Sequence, residues 1–171
     1  NPVAPGLEYL DARLNLDGVT KKGVELEFSG HILDNLSFLL GYAYVDFKNE
    51  GNEPVGKEEV ADRAEHRVVA GLRYNPLPRT TLLLDYEYQS RQTAYASVET
   101  SPDQWAFYSI PMDDYHVVDV GIEQLLFGSW GPLQEGRLRL YINNVFDEEY
   151  QDARGYPMTD RFYGAAINFS L

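Results

Sequence analysis

The sequence holds few side chains that could carry out chemistry, and their spacing does not bring them together. Cysteine is absent from the 171 residues, which removes cysteine nucleophiles, thiolate metal ligands and disulfides. None of the three histidines, His31, His66 and His116, has a partner at i+2 or i+4 that would suggest a metal site. We therefore interpret them as surface or interfacial groups and expect neither a resident metal nor a cofactor.

Hydrolytic chemistry also lacks its local motif. No serine lies in a Gly-x-Ser-x-Gly turn, the element that exposes the nucleophile of many hydrolases. A spatial Ser-His-Asp triad, as in phospholipase-type barrels, is the remaining enzymatic alternative. We expect a protein that is not an enzyme.

Acidic side chains are concentrated in two stretches that could offer oxygen ligands to calcium. The 12-residue calcium-loop pattern is absent from both, so solvated loops are the favoured interpretation and calcium binding stays open. The first stretch contains Glu50, Glu53, Glu58, Glu59, Asp62 and Glu65, and the second contains Asp147, Glu148, Glu149 and Asp152 with Arg154.

Aromatic side chains gather in one long polar stretch between residues 90 and 114 and just beyond it. Exposed aromatic rings suit a flat, partly apolar ligand, although such rings also pack a loop against its neighbours. The candidate ligand contacts are Tyr95, Trp105, Phe107, Tyr108, Asp113, Asp114 and Tyr115.

Composition excludes one large class of partner. With 27 acidic and 14 basic side chains the net charge is -13, whereas nucleic-acid binding needs a basic face. No run of apolar residues approaches the roughly 20 that a membrane helix needs. Residues 1–10 lack the pattern of a signal peptide. We expect no nucleic-acid partner, and any membrane crossing has to use strands.

The elements that must position these residues are strands. Apolar and polar residues alternate with a period of two in eight blocks, each bounded by Gly, Pro, Asn or Asp. The sequence therefore predicts an all-β fold of eight consecutive antiparallel strands. The blocks are 10–16, 24–29, 37–44, 67–74, 81–89, 118–123, 137–143 and 163–171.

Charged pairs recur on the side opposite the apolar residues. Glu25 with Glu27, Arg67 with Arg73, Asp85 with Glu87 and Arg137 with Arg139 alternate with Val, Leu, Ile and Tyr. A soluble sandwich or barrel with its apolar side inward also shows alternation.

The lengths of the connections favour a membrane barrel. Short links at 33–36 and 75–79 and a modest one at 127–135 alternate with long links at 47–65, 90–114 and 146–160. Short periplasmic turns and long extracellular loops alternate in this way in transmembrane barrels. The opening link, 17–22, is an exception because it is short where a long link is expected. Interfacial aromatic girdles are expected where strands lead into long links, and these positions hold Tyr42, Tyr44, Tyr86 and Tyr88.

Three motifs resemble the TonB-dependent outer-membrane receptors. Residues 22–27, Lys-Gly-Val-Glu-Leu-Glu, precede Leu-Asp-Asn-Leu-Ser at 33–37 and Gly-Tyr-Ala-Tyr at 41–44, similar to the family's "GVELE, turn, LS, GYxY" run. Residues 141–150, Tyr-Ile-Asn-Asn-Val-Phe-Asp-Glu-Glu-Tyr, resemble its "NNLFDxxY" signature. Residues 155–163, from Gly-Tyr-Pro-Met to Arg-Phe-Tyr, resemble its "GYPxPGRxFY" passage into the last strand.

The resemblance, which covers residues from about 21 to the end, implies the C-terminal part of an outer-membrane barrel of about 22 strands. It implies uptake of a scarce nutrient such as a ferric siderophore, cobalamin or another metal chelate. The partners it implies are outer-membrane lipid, the remaining strands and plug, a periplasmic TonB-type coupling protein acting through the plug, and a small-molecule ligand. In the closing strand Tyr163, Ile167, Phe169 and Leu171 are expected to face lipid.

Two features depart from the family pattern. The sequence shows no plug and no coupling box, and eight strands cannot close so large a barrel, so a fragment or a chain that pairs with another is expected. The last residue is Leu171 where the family usually has an aromatic, with Phe169 on the same face. The alternatives are a self-contained eight-stranded barrel with a structural or adhesive role, whose inward charges form an ion-paired core, and a soluble binding barrel.

Overall fold

A computed structural model of the chain describes residues 18–49, 63–101, 104–132 and 134–170. In these ranges the protein is all-β, without any helix, and every paired strand is antiparallel to its neighbour. No helix in the described part could span a membrane. The first predicted block, 10–16, lies outside the described residues.

Eleven strands are present in the described ranges, and seven of them form the main sheet. The order in that sheet is β1-β2-β3-β4-β7-β8-β11, which follows the chain except that two hairpins are set aside. The strands are β1 (Val19–Leu33), β2 (Leu36–Asn49), β3 (His66–Leu77), β4 (Thr80–Gln89), β5 (Gln92–Ser101), β6 (Gln104–Met112), β7 (Tyr115–Phe127), β8 (Glu135–Asn143), β9 (Gln151–Ala153), β10 (Tyr156–Pro157) and β11 (Phe162–Ser170).

The predicted blocks from 24–29 onward are confirmed as strands of the main sheet. Strand register aligns their apolar residues in rows, of which Tyr74, Leu82, Ile122 and Leu140 are one. We call the side that carries these rows the apolar face and the other side the polar face. The apolar face includes Val24, Leu26, Phe28, Phe38, Leu40, Tyr42, Tyr44, Val68, Ala70, Leu72, Tyr74, Leu82, Leu84, Tyr86, Tyr88, Val118, Val120, Ile122, Leu138, Leu140, Ile142, Tyr163, Ala165, Ile167 and Phe169.

The apolar face is not covered by any described part of the chain. Leu26 is 48%, Leu84 39% and Ile167 58% exposed, and the buried hydrophobic residues of the described ranges are Ala94, Ala96 and Tyr115, none of them on this face. Within those ranges the edge strands β1 and β11 do not pair with each other, so the sheet is an open, partial barrel wall. A soluble barrel with its apolar side inward would bury such residues, and here they are exposed.

Connections at the two ends of the sheet differ as predicted. Tight two-residue turns join β1 to β2 and β3 to β4. Asn75 ties these turns together, because its amide donates to the Asn35 carbonyl at 2.8 Å and its side-chain oxygen accepts from Thr81 at 2.7 Å. The long links all leave the opposite end of the sheet.

Two long links contain strands that the sequence did not reveal. The 90–114 link is largely a hairpin of β5 and β6, and the 146–160 link contains the short β9–β10 hairpin. The buried residues of β5 include Ala94 and Ala96, whose small side chains give no period-two contrast. The prediction of a 17–22 link was also wrong, because β1 begins at Val19 and pairs with β2 from there.

Candidate functional site

The candidate ligand contacts lie together at the long-link end of the sheet. Tyr95 lies in β5, whereas Trp105, Phe107 and Tyr108 lie in β6. Asp113 and Asp114 join β6 to β7, which begins at Tyr115. Tyr108 is 45% exposed. The hairpin thus brings Tyr95 and Tyr108, which are 13 positions apart in the sequence, onto neighbouring strands of one element.

Tyr115 differs from the others because it is enclosed. Its side chain is 3% exposed, its ring centroid lies 4.3 Å from that of Tyr150, and its hydroxyl donates to Asp152 Oδ1 at 2.9 Å. In the structure the third long link runs from residue 144 to residue 161, between β8 and β11. Tyr115 holds this link against the sheet.

A second buried group binds the same aspartate. Gln92, which is 7% exposed, donates from Nε2 to the Asp152 carbonyl at 2.7 Å. We call Gln92, Tyr115, Tyr150 and Asp152 the latch. Because Gln92 begins β5, the latch fastens the base of the hairpin to the third link. Sequence reasoning missed Gln92, Tyr150 and Asp152 as a group, since Gln92 and Asp152 are 60 positions apart and nothing local links them.

The third link is shaped by the residues of the NNVFDEEY motif. Asn144 has a φ of 52° and is 3% exposed. Its backbone amide donates to Asp119 Oδ1 at 2.8 Å, and its side chain donates to the Glu148 carbonyl at 2.8 Å and accepts from the Glu148 amide at 2.8 Å. Asparagine tolerates this left-handed backbone, and its side chain supplies hydrogen-bond partners for the backbone of the turn that follows it. Both properties explain why asparagine is found at this position.

Asp147 is a second residue that holds the third link in place. Its φ is 61°, its Oδ1 accepts from the Arg161 backbone amide at 2.8 Å, and its Oδ2 lies 3.1 Å from Arg161 Nη2. The hydrogen bond from that amide, aided by the guanidinium charge, holds the pKa of Asp147 below its usual value. Asp147 and Arg161 thereby join the two ends of the link just before β11.

The polar face carries charges in opposite-sign pairs. Arg67 lies 2.6 Å from Glu87, Arg137 lies 2.6 Å from Glu123 and also contacts Glu135, and Arg73 lies 4.0 Å from Asp85. Arg67, Arg73, Asp85, Glu87 and Arg137 from the like-sign pairs noted along the strands are thus matched by an opposite charge on a neighbouring strand. A cavity of about 620 Å³ opens on this face, and its lining includes Ser29, His31, Arg73, Asp85, Glu87, Asp119 and Tyr150.

A second cavity lies beside the latch and is lined by residues 110–115 and by residues of the third link. Its volume is about 560 Å³, in the size range of small-molecule sites. The lining mixes apolar and charged side chains, among them Ile110, Met112, Asp113, Asp114, Glu149, Arg154, Met158 and Asp160. Asp114 is paired with Arg91 at 3.5 Å. Three or more potential metal ligands do not cluster anywhere in the described ranges.

Two of the sequence predictions fall partly outside the described structure. Residues 50–62 of the first acidic stretch are not described, whereas Glu65 lies beside His66. Tyr163, Ile167 and Phe169 lie on the apolar face at 64%, 58% and 58% exposure, and Leu171 lies outside the described residues.

Comparison with known proteins identifies relatives of this fold. The family profile for the TonB dependent receptor-like beta-barrel matches residues 2–145. The ferric-pyoverdine receptor PbuA of a Pseudomonas strain is 28% identical over 178 aligned positions, which cover 98% of this chain and 19% of that protein. The chain therefore spans about a fifth of the length of that relative.

Solved structures agree in fold. The ferripyoverdine receptor of Pseudomonas aeruginosa matches with a TM-score of 0.63 and 19% identity, over 88% of this chain and 19% of that one. The siderophore receptor PiuA of Acinetobacter baumannii matches with a TM-score of 0.59 and 17% identity, over 88% of this chain and 20% of that one.

Proposed function

Because this chain belongs to the TonB-dependent receptor β-barrel family, we propose that it forms part of the barrel wall of an outer-membrane receptor that takes up a ferric siderophore. The observation that carries this proposal is the sheet itself, with one uncovered apolar face and one ion-paired face. Such a sheet is stable when lipid covers one side and water or polar protein the other.

The apolar face is the proposed lipid contact. Each of the seven strands of the main sheet contributes at least one exposed apolar side chain to this face. Large exposed apolar patches mark contact with a membrane or another protein. In this arrangement Tyr163, Ile167 and Phe169 of β11 face lipid, together with the rest of the apolar face.

The polar face is the proposed wall of the barrel interior. Its ion pairs suit contact with water and with a polar plug, because a paired charge keeps its partner when water is displaced. We propose that this wall takes part in binding the ligand and in its gated passage, and that no covalent bond is made or broken. The plug, the remaining strands and a TonB-type coupling protein that acts through the plug complete the proposed receptor.

A ferric siderophore is favoured over cobalamin and other chelates by the names of the relatives, which are ferric-pyoverdine and siderophore receptors. The β5–β6 hairpin and the third link supply the proposed contacts at the outer mouth. Exposed Tyr108 is the described aromatic residue best placed for them, and the latch holds both elements in position.

The test is direct ligand binding by the purified receptor that contains this chain. We expect a ferric pyoverdine or another ferric siderophore to bind, cobalamin not to bind, and the ligand to be recovered chemically intact. Tyr108→Ala is expected to weaken binding by about 1 kcal/mol, roughly fivefold. Tyr163→Ala, which removes an exposed tyrosine from the apolar face, is the matched control and should leave the affinity unchanged. Binding of cobalamin but of no siderophore would overturn the proposed ligand class.

The assembly is tested by intact mass after extraction in mild detergent. A species much larger than one 19.5 kDa chain, containing plug and further strands, is expected. A species of one chain plus detergent would instead establish a small autonomous barrel.

A further inference from the structure

One buried amide on the polar face lacks a hydrogen-bond partner within the described residues. Gln89, the last residue of β4, is 8% exposed, and its side chain forms no hydrogen bond or ion pair with any of them. Buried polar groups are nearly always hydrogen-bonded in folded proteins. Every fully enclosed side-chain nitrogen or oxygen in the described part of the chain has a partner, so the Gln89 amide opens onto a space.

That space is a third cavity, with a volume of about 310 Å³. This volume is at the lower end of the range for small-molecule sites. One row of the polar face, formed by Ala43, Arg67 and Gln89 on β2, β3 and β4, gives the cavity its floor. The other lining residues are Val45, Phe47, Arg63, Ala64, Glu65, Gln92 and Asp152.

The latch explains why Gln89 is buried. Tyr115 of the latch follows Gln89 in the same row and is 3% exposed. Gln92 and Asp152, which are joined by a hydrogen bond of 2.7 Å, line the cavity on the side away from the sheet. The latch therefore covers Gln89 and leaves a cavity in front of its amide.

The charges of the lining cancel. Two arginines, Arg63 and Arg67, and two carboxylates, Glu65 and Asp152, line the cavity. Arg67 is already paired with Glu87 at 2.6 Å. An incoming anion would meet several carboxylates and an incoming cation two guanidinium groups, while either would lose its hydration. The lining therefore favours an uncharged polar group.

The chemistry of Gln89 narrows the choice of that group. A glutamine amide offers an N–H donor and a carbonyl acceptor side by side. Another primary carboxamide satisfies both at once, because its own carbonyl and N–H have the same arrangement. Ala43, Val45 and Phe47 add apolar surface on which a hydrocarbon stem can pack.

We propose that this cavity is a subsite for an uncharged carboxamide group, which the ligand of the receptor carries on a short hydrocarbon arm. The carboxamide forms paired hydrogen bonds with the Gln89 amide, and the stem packs on Val45 and Phe47. The cavity lies on the polar face, the proposed interior wall, and so opens toward the path of the ligand. This inference rests on the proposed function, which supplies the ligand.

Saturation-transfer NMR with the detergent-solubilised receptor that contains this chain tests the subsite directly. Butyramide is the probe, and butyrate, which has nearly the same shape and carries a negative charge, is the matched comparison. We expect butyramide to bind and butyrate to bind at least about tenfold more weakly, because butyrate lacks the N–H donor and adds a carboxylate to those of Glu65 and Asp152. Equal binding of the two probes would overturn the proposed selectivity. Absence of butyramide binding would mean that water or a plug side chain satisfies Gln89, and would overturn the subsite.

Variants locate the bound probe. Gln89→Met keeps the length of the side chain and removes the amide, so butyramide binding should weaken at least about tenfold. Gln104→Met changes an exposed glutamine of β6 outside the cavity and should leave binding unchanged. Ala43→Leu fills the cavity from β2 with Gln89 intact and should abolish binding, which keeps the test available if Gln89→Met does not assemble. Unchanged butyramide binding in either cavity variant would place the probe elsewhere and contradict the subsite.

Titration of the same receptor with ferric siderophore separates this inference from the proposed function. The matched ligands are a ferric pyoverdine whose side arm ends in a carboxamide and its hydrolysed form, whose arm ends in a carboxylate. The carboxamide form is expected to displace butyramide and to bind about tenfold more tightly than the carboxylate form. Equal affinities of the two forms would overturn the subsite and leave siderophore binding intact. Butyramide binding that depends on Gln89, without binding of any ferric siderophore, would support the carboxamide site and overturn the proposed ligand class.

Discussion

Both faces of the main sheet carry exposed side chains, and these side chains are opposite in chemistry. On the polar face the Arg67 side chain is 56% exposed and lies 2.6 Å from Glu87. On the apolar face Ile167 is 58% exposed. One set of exposed groups is charged and paired, whereas the other is hydrocarbon. Exposed side chains of opposite chemistry on the two faces indicate two different surroundings, and alternate residues of one strand meet each of them.

The largest expected effect is the difference in stability between an arginine introduced on the apolar face and one introduced on the polar face. Leu84→Arg places a charge in the middle of the apolar face, where the lipid cost of arginine is about 2–4 kcal/mol. Leu83→Arg places the same side chain one position away on the polar face and should cost much less. Chemical denaturation of the receptor in lipid vesicles measures both free energies of unfolding. Equal losses in the two variants would contradict the assignment of the faces.

Removal of the buried asparagine should produce the next largest effect. Asn144→Ala leaves the Glu148 amide and carbonyl without their partner in a buried turn, at a cost of about 1–3 kcal/mol. Hydrogen exchange of residues 144–161 reports the loss as faster exchange. Asn143→Ala, which changes the exposed neighbour in the same motif, is the control. Similar exchange in both variants would show that the motif does not hold the link.

The latch is expected to contribute less. Tyr115→Phe keeps the ring beside Tyr150 and removes only the hydrogen bond to Asp152, a loss of about 0.5–1.5 kcal/mol. Hydrogen exchange should accelerate in 150–157 and also at the base of the β5–β6 hairpin, because both are fastened at Asp152. Acceleration in the third link alone would mean that the two elements are not coupled.

The smallest expected effect is on the pH dependence of hydrogen-exchange protection in the third link. The folded pKa of Asp147 is depressed, so its contribution is present above the unfolded value of about 3.9 and is lost as pH falls through the folded value. Protection of residues 144–161 should therefore decline in acid below about pH 4. Asp147→Asn should abolish that dependence, and an unchanged acid profile in this variant would assign it to other groups.

Local alternation predicted the strands and faces because period two is a property of each strand alone. It did not predict the β5–β6 hairpin, whose buried alanines give little contrast, or the latch, whose members meet only after folding. The pairing of His66 and His116 with tyrosines needed the strand register, since their partners are 24 and 30 positions away. The motif at 141–150 marked the third link correctly, and the structure supplies the reason in the contacts of Asn144 and Asp147.

The most direct test is a spin-label scan of positions 81–88 in β4, with the receptor in lipid bilayers. Collision with oxygen, which concentrates in lipid, should peak at positions 82, 84 and 86, and collision with a water-soluble nickel chelate should peak at the alternate positions. Uniform accessibility, or peaks in the reverse order, would contradict the claim that the apolar face of this sheet meets lipid.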